Sequence, residues 1–303
     1  SFNTSPVTAP SVTTGTVSNV TLTSAVAGGN VTSDNGAAVT VRGVCWNTTG
    51  NPTTANSTAT SGSGTGSFTV TMPGLTAGTT YYVKAYATNS SGTGYGSQVI
   101  FTTSIADIDG NVYKTILLGT QVWMSENLKT ERYNNGNPIP MVSDPSVWST
   151  LATDAYCWYE NLTSYRDQFG GLYNWFAVNK GNLCPTGWKV PTDEEFKTLE
   201  KFLGMTQGQA DLYSIIARGT DQGTKMKSTT GWYNNGNGTN SSGFNGLPGG
   251  YRYGVDGGFY DLGKLSYWWT STEYEYDPSK ATYRRLNYDI TGVLREGTSK
   301  KGG

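Results

Sequence analysis

The sequence predicts an N-terminal all-β sandwich followed by a larger α+β domain. A break in charge near Ser104 is the first observation: residues 1–104 hold three charged side chains, Asp34, Arg42 and Lys84, while the other 199 hold 19 Lys/Arg and 21 Asp/Glu. The second is a series of short alternating runs with Gly, Asn and Pro between them, typical of a sandwich. The third is one well-marked amphipathic helix in the second part.

Composition excludes several classes of function. The chain of 303 residues contains no histidine, which removes Ser-His-Asp and Cys-His catalysis and every zinc site that needs an imidazole. A net charge of −1 provides no basic surface for nucleic acid. No apolar run approaches about 18 residues, so we expect no membrane span. Glycine (40) and tyrosine (20) are abundant, as in extracellular β proteins.

We expect an extended leader over residues 1–12 and the sandwich over 13–104. Alternation is clear in Val39–Trp46, Ser67–Met72 and Tyr81–Ala87. The segment from Leu75 to Asn89 resembles the corner and following strand of a fibronectin type III or Ig-like domain, in which a tyrosine hydrogen-bonds back to the corner. The resemblance assigns that role to Tyr81, places Trp46 in the core, points Val83, Ala85 and Ala87 inward, and points Tyr82, Lys84 and Tyr86 outward.

The domain over residues 105–303 begins with isolated strands and aromatic loops. Thr192 with Glu195 forms a capping box, and the apolar spacing that follows predicts a helix over 193–203. A weaker helical pattern covers 209–218. Strands and long loops make up the rest, which gives the α+β prediction.

Five blocks in this domain resemble the Fibrobacter succinogenes major paralogous domain: Asp107–Leu128, Gly171–Trp175, Leu183–Asp193, Gly243–Arg252 and Trp268–Glu273. The resemblance implies a C-type-lectin-like fold related in architecture to formylglycine-generating enzymes. It also implies a secreted or surface-exposed protein, commonly joined to fibronectin-like modules. Members of the family usually end with one further strand beyond the position of Gly303, so either that strand is trimmed here or another chain supplies it.

A ligand surface is predicted between Gly231 and Arg285, where tyrosine, tryptophan, asparagine and carboxylates alternate. Aromatic faces stack on sugar rings, and Tyr and Asn give contact area with adaptable hydrogen bonds. About half of these aromatic residues are expected to pack in the core instead. The candidate ligand residues are Trp232, Tyr233, Asn235, Tyr251, Tyr253, Asp256, Tyr260, Glu273, Tyr274, Tyr276 and Asp277.

Other candidate sites have simpler structural explanations. Asp107, Asp109 and Asn111 resemble the start of a calcium loop, but no final acidic ligand follows, and a hairpin turn is favoured. We therefore expect no cofactor, with calcium as the one candidate. Asp193, Glu194 and Glu195 favour helix capping over catalysis. Cys157 and Cys184 are the preferred disulfide pair, and the alternative is that Cys45, Cys157 and Cys184 are all buried thiols.

These observations favour a non-enzymatic extracellular adhesion or recognition protein, in which a sandwich stalk presents a lectin-like head that binds a glycan or a cell-surface protein. It would lie on a bacterial surface or a phage virion. One alternative is a structural subunit of a fibre or virion appendage, which self-associates through the leader and the C-terminal sheet edge. Another is a carbohydrate-active hydrolase that uses Glu273, Glu275 and Asp277.

Overall fold

The structure is a computed structural model that describes residues 6–303, and it divides into two compact units after Ile105. The first part of the predicted leader, residues 1–5, lies outside the described residues. No helix within 6–303 has the length and apolar character needed to cross a membrane.

The first unit is an antiparallel β-sandwich, as predicted. One sheet has the order β1-β2-β5, and the other has the order β4-β3-β6 with β7 and β8 also paired to β6. The strands are β1 (Ser11–Thr14), β2 (Ser24–Ser33), β3 (Val41–Asn47), β4 (Ser57–Thr60), β5 (Gly66–Pro73), β6 (Thr80–Asn89), β7 (Gly92–Tyr95) and β8 (Val99–Thr102).

The core lies between the two sheets, because each strand alternates inward and outward side chains. Val83, Ala85 and Ala87 of β6 are fully buried there, and Trp46 joins the same cluster. Tyr81 also points inward, and its hydroxyl accepts a hydrogen bond from the Thr76 amide at 3.0 Å, as the corner tyrosine was expected to do. All these predictions are confirmed.

Two details of the first unit differ from the sequence prediction. Tyr86 is only 4% exposed although it points away from the sandwich core, because Cys45 and Tyr95 lie beside it on the outer face. Ser11 and Val12 were placed in the leader but belong to β1. Residues just before them also bind their own sandwich: Ser91 donates to the Val7 carbonyl.

The second unit combines short paired strands with helices around a four-stranded antiparallel sheet of order β15-β20-β19-β18. Its strands are β9 (Ile105–Ala106, at the boundary), β10 (Val112–Tyr113), β11 (Thr115–Leu118), β12 (Gln121–Met124), β13 (Tyr156–Cys157), β14 (Leu172–Tyr173), β15 (Ser214–Arg218), β16 (Tyr251–Arg252), β17 (Phe259–Tyr260), β18 (Leu265–Glu273), β19 (Lys280–Asn287) and β20 (Val293–Ser299). Its α-helices are α1 (Pro145–Thr150), α2 (Thr163–Phe169), α3 (Trp175–Val178), α4 (Asp193–Phe202), α5 (Gln207–Asp211) and α6 (Gln222–Met226).

Helix α4 confirms the strongest sequence prediction. Thr192 and Glu195 form the predicted capping box, and Phe196 and Leu199 are buried against the sheet. The helix predicted over 209–218 is wrong after Asp211. Helix α5 ends at Asp211, and residues 214–218 form β15 because they pair with β20. The β-branched Ile215 and Ile216 suit a strand better than a helix.

A network of buried charges joins α4 to the sheet. Asp193 and Glu200 project from the helix, and three arginines meet them from β15, β19 and β20. Arg284 lies between the two carboxylates, with Nη1 2.7 Å from Asp193 and Nε 2.7 Å from Glu200. Arg218 binds Glu200 at 2.6 Å, and Arg295 binds Asp193. Asp193 was expected only to favour the helix dipole, so the sequence interpretation missed its main role.

Candidate functional site

The eleven predicted ligand residues do not form one surface. The structure separates the tyrosines among them into three groups that share no ring contact within the described residues, and it buries one of the eleven side chains. The largest group includes a hairpin that carries three of the predicted tyrosines.

That hairpin consists of β16 and β17, and it places Tyr251 opposite Tyr260. Their rings are 5.9 Å apart, and Tyr253 packs edge-on against both. Tyr267 of β18 lies 4.9 Å from Tyr251, and Tyr283 of β19 lies 5.1 Å from Tyr267. We call these five residues the Tyr251 cluster.

Exposure changes steadily across the Tyr251 cluster. Tyr283 is 6% exposed at its base, whereas Tyr253 and Tyr260 are each 42% exposed at its outer edge. Burial raises the pKa of Tyr251 to about 12 and that of Tyr283 to about 12, so both phenols remain protonated donors at neutral pH. The cluster therefore presents an aromatic surface with polar hydroxyls, and its buried base at Tyr283 holds the exposed rings in place.

A short turn between β16 and β17 adds a carboxylate to this surface. Asp256 accepts hydrogen bonds from the Tyr260 hydroxyl at 2.7 Å and from the Gly258 amide at 2.8 Å. These bonds lower the pKa of Asp256, with the Tyr260 hydroxyl as the larger cause. Gly257 has φ +71°, and a Cβ there would lie 2.1 Å from the Pro145 carbonyl oxygen, so the turn requires glycine.

Arg252 holds the hairpin from behind, and sequence reasoning missed it. Its side chain is fully buried, with the guanidinium 4.2 Å from the centre of the Trp148 ring and 4.8 Å from that of Phe259. It donates to the carbonyls of Gly257, Val142 and Ser143. The available signal was its position at the end of the block Gly243–Arg252.

Tyr274 and Tyr276 form a second group with Tyr213, which the sequence interpretation did not include. The three rings lie 5.0 to 5.5 Å apart, and the Arg295 guanidinium lies 3.5 Å from the centre of the Tyr213 ring. Tyr276 is 71% exposed. This group is held by the buried charge network rather than by the hairpin.

The third group contains Tyr233, whose exposed ring packs on Tyr288 at 5.4 Å and lies under the Lys264 ammonium. Asn235 is exposed next to it in a left-handed conformation with φ +58°. Trp232 is the buried exception and the prediction for it is wrong. It is 5% exposed in the core, and its indole donates to Ser228 and the Gly246 carbonyl.

The acidic residues proposed for hydrolysis are bound to local partners. Glu273 forms an ion pair with Lys300, and Asp277 accepts from Ser279 and pairs with Lys280. Glu275 is exposed, and its carboxylate raises the pKa of the neighbouring Tyr276. These local partners account for the positions of Glu273 and Asp277 without any catalytic role.

Residues 107–111 form the favoured turn, with the Asp107 amide donating to the Asn111 carbonyl at 3.0 Å. Asp107 accepts from Tyr113 and two Asn111 donors, and Asp109 accepts from Thr130, Glu131 and Arg132. These donors occupy the oxygens that calcium would need. Among residues 6–303, no group of three or more acidic or cysteine side chains is arranged to hold a metal.

The predicted Cys157–Cys184 disulfide is wrong, since all three cysteines are free and buried. Cys157 packs with Trp148 and Ala155, in a separate cluster from the core around Leu183. Burial raises the pKa of Cys157 to about 11 and that of Cys184 to about 12, so both remain neutral thiols. They act as small apolar groups.

The fold and the site define a mostly β protein in which a sandwich precedes a unit with an exposed tyrosine surface. The model of the Fibrobacter succinogenes major domain matches residues 116–296. The chain belongs to this family. No curated protein matches it.

Each of the similar solved structures aligns with about a third of this chain. The sensor domain of the anti-sigma factor RsgI4 in Pseudobacteroides cellulosolvens is 19% identical over 31% of this chain and 74% of that one, with a TM-score of 0.25. The FN3 domain of human collagen XX is 18% identical over 33% and 99%, also with a TM-score of 0.25. The chicken CNTN1 FN1-FN3 domains are 15% identical over 32% of each chain, with a TM-score of 0.26.

Proposed function

We propose that this chain is a non-enzymatic extracellular recognition protein whose Tyr251 cluster binds a glycan. The observation that carries the proposal is the graded exposure of the cluster, from buried Tyr283 to Tyr253 and Tyr260 at 42%. The sandwich would act as a hydroxyl-rich spacer of the fibronectin type III kind, and the second unit as a C-type-lectin-like head. A bacterial cell surface or a phage virion suits such a protein.

The chemistry of the cluster suits a sugar ring. Tyrosine rings offer an apolar face for the C–H groups of a sugar, while phenol hydroxyls and the Asp256 carboxylate meet its hydroxyls. The buried base holds the rings in place, so little side-chain entropy is lost on binding. The recognition proposed does not use calcium, because the carboxylates of Asp107 and Asp109 already accept hydrogen bonds from neighbouring residues.

Changing Tyr253 and Tyr260 to Ala should abolish glycan binding, because these two rings supply the exposed contact area. We expect about a tenfold loss of affinity for each single substitution. A glycan array followed by calorimetry on the strongest hit measures it. Tyr276→Ala is the matched control, since it removes a more exposed tyrosine from a different group. Equal losses for the control and the cluster variants would contradict the proposal.

A second candidate function is assembly into a fibre through strand β15. This strand lies at the edge of its sheet and pairs with β20 through an irregular register. Ile215 and Ile216 are 70% and 73% exposed, and Leu212 just before them is 56% exposed. An uncovered apolar edge strand favours pairing with another chain. The C-terminal segment is less suited, because Gly303 already pairs with the Arg252 backbone.

Assembly through β15 predicts self-association that depends on concentration. The double substitution Ile215→Lys and Ile216→Lys should leave only monomer, because two ammonium groups cannot be buried in a paired edge. Sedimentation velocity at increasing concentration measures this. Val147→Lys, at an exposed position on α1, is the control. A wild-type protein that stays monomeric at every concentration would rule out assembly and leave glycan binding unaffected.

A further inference from the structure

Arg285, at the base of the Tyr251 cluster, lacks the partners that the other arginines have. Within residues 106–303 there are seven arginines, and the other six bind a carboxylate or a backbone carbonyl. Arg285 instead donates to the Tyr267 hydroxyl at 3.2 Å and lies 5.7 Å from the centre of the Tyr267 ring. Its side chain is partly exposed. A guanidinium that forms no ion pair with a carboxylate in the described residues, next to a candidate binding surface, is a candidate anion site.

Two buried polar atoms at this position have no hydrogen-bond partner in the described chain: Nε of Arg285 and Oδ1 of Asn287. The two residues alternate along β19 and therefore point to the same face of the sheet, opposite Tyr267 and Leu265 respectively. Buried polar groups are nearly always satisfied in folded proteins. This unmet donor and this unmet acceptor on one face mark a position that the described residues leave incomplete, and Arg285 is partly exposed there.

We propose that Arg285 recognises the carboxylate of an acidic sugar, so that the Tyr251 cluster binds a glycan containing hexuronic acid residues. The inference rests on the proposed glycan-binding function and names the class of glycan. A hexuronate carries its carboxylate directly on the pyranose ring, so one residue can place an apolar face on the tyrosines and a charge on Arg285. Guanidinium binds the planar carboxylate through two parallel hydrogen bonds.

Asp261 carries a charge opposite to that of Arg285, so replacing it tests whether the ligand is negatively charged. Asp261 directly follows Tyr260 at the end of β17, and its charge acts to raise the pKa of Tyr251 and Tyr267, after the larger effects of burial and of other neighbouring groups, so it lies beside the same surface. A carboxylate ligand would be repelled by Asp261 and attracted by Arg285. Removing either charge should therefore change affinity in opposite directions, which an uncharged glycan would not show.

The experiment measures binding of full-length protein to oligosaccharides of galacturonate, mannuronate and glucuronate, each compared with its methyl ester. We expect the carboxylate forms to bind at least about tenfold more tightly than the esters, with an affinity that falls as NaCl is added. Arg285→Gln should remove this preference, and Asp261→Asn should strengthen it. Lys280→Gln, which removes a partly exposed cation from the same strand, should leave it unchanged.

Three results would overturn the inference. Equal binding of acid and ester forms by the wild type would remove the role of charge while leaving the glycan function intact, provided that the double substitution of Tyr253 and Tyr260 by Ala still abolishes binding. A preference for acids that survives Arg285→Gln would place the charge recognition elsewhere. Failure of every glycan on a general array would remove both proposals. Circular dichroism on Arg285→Gln and on Arg285→Lys establishes that the variants are folded, and Lys should partly retain the preference.

Discussion

Replacing Glu200 by Gln should lower the free energy of unfolding of the second unit by about 3–5 kcal/mol. Glu200 is fully buried and receives hydrogen bonds from both Arg218 and Arg284. Gln preserves the shape of the side chain but removes the charge, so Arg218 would remain buried without a counter-ion. Urea unfolding measured at pH 7 would give the difference. Glu194→Gln is the control, because that side chain is 75% exposed on the same helix and should change stability by less than about 1 kcal/mol.

The same network of buried charges predicts how the free energy of unfolding depends on pH. Burial alone would raise the pKa of Asp193, but hydrogen bonds and charges from Arg295 and Arg284 outweigh it and lower the pKa to about 2, below its ordinary 3.8. The contribution of Asp193 is therefore complete above pH 3.8 and is lost as the pH falls through 2. Asp193→Asn should flatten this part of the stability profile. If the free energy of unfolding of the Asp193→Asn variant falls in parallel with that of the wild type between pH 4 and pH 2, Asp193 titrates normally.

Replacing Arg252 by Lys should destabilise the second unit by about 3 kcal/mol or more. Arg252 donates to three carbonyls and packs against Trp148 and Phe259. The single ammonium of Lys cannot reach three acceptors in this planar arrangement, so carbonyls would be left buried and unpaired. Because the β16–β17 hairpin rests on Arg252, the variant should also lose order at Tyr253 and Tyr260.

Thermal unfolding and tyrosine fluorescence measure the two effects of Arg252→Lys. Arg132→Lys is the matched control, since Arg132 is 46% exposed in a surface pair with Asp109 and its replacement should matter little. A hairpin that keeps its tyrosine environment and a melting temperature equal to the control would show that Arg252 is not the support described here.

Local signals explain which features the sequence predicted. The capping box at Thr192 and Glu195, the inward alternation of Val83 and Ala85, and the hydrogen bond of Tyr81 each depend on residues close together in the chain. The five family blocks, read together, predicted the family. Patterns of this kind can be predicted from the sequence because the interacting residues lie within a turn of helix or along one strand.

Contacts between residues far apart in the chain explain the sequence predictions that were wrong or incomplete. Residues 214–218 form a strand because β20 lies beside them, and Asp193 forms ion pairs because Arg284 and Arg295 arrive from strands about 90 to 100 residues later. Trp232 was predicted to belong to a ligand surface because it lies in the aromatic-rich stretch between Gly231 and Arg285, yet it points into the core. Arg285 had no distinguishing pattern, since its missing partners become visible only when its neighbours are placed.

Chemical-shift mapping of tyrosine-labelled protein tests the central claim most directly, with a glycan that the array identifies as a ligand. Binding through the Tyr251 cluster predicts that the resonances of Tyr251, Tyr253, Tyr260 and Tyr267 shift together in a saturable manner, while those of Tyr213, Tyr274 and Tyr276 stay in place. Shifts confined to Tyr213, Tyr274 and Tyr276, or to the tyrosines of the sandwich, would contradict the assignment of the binding surface.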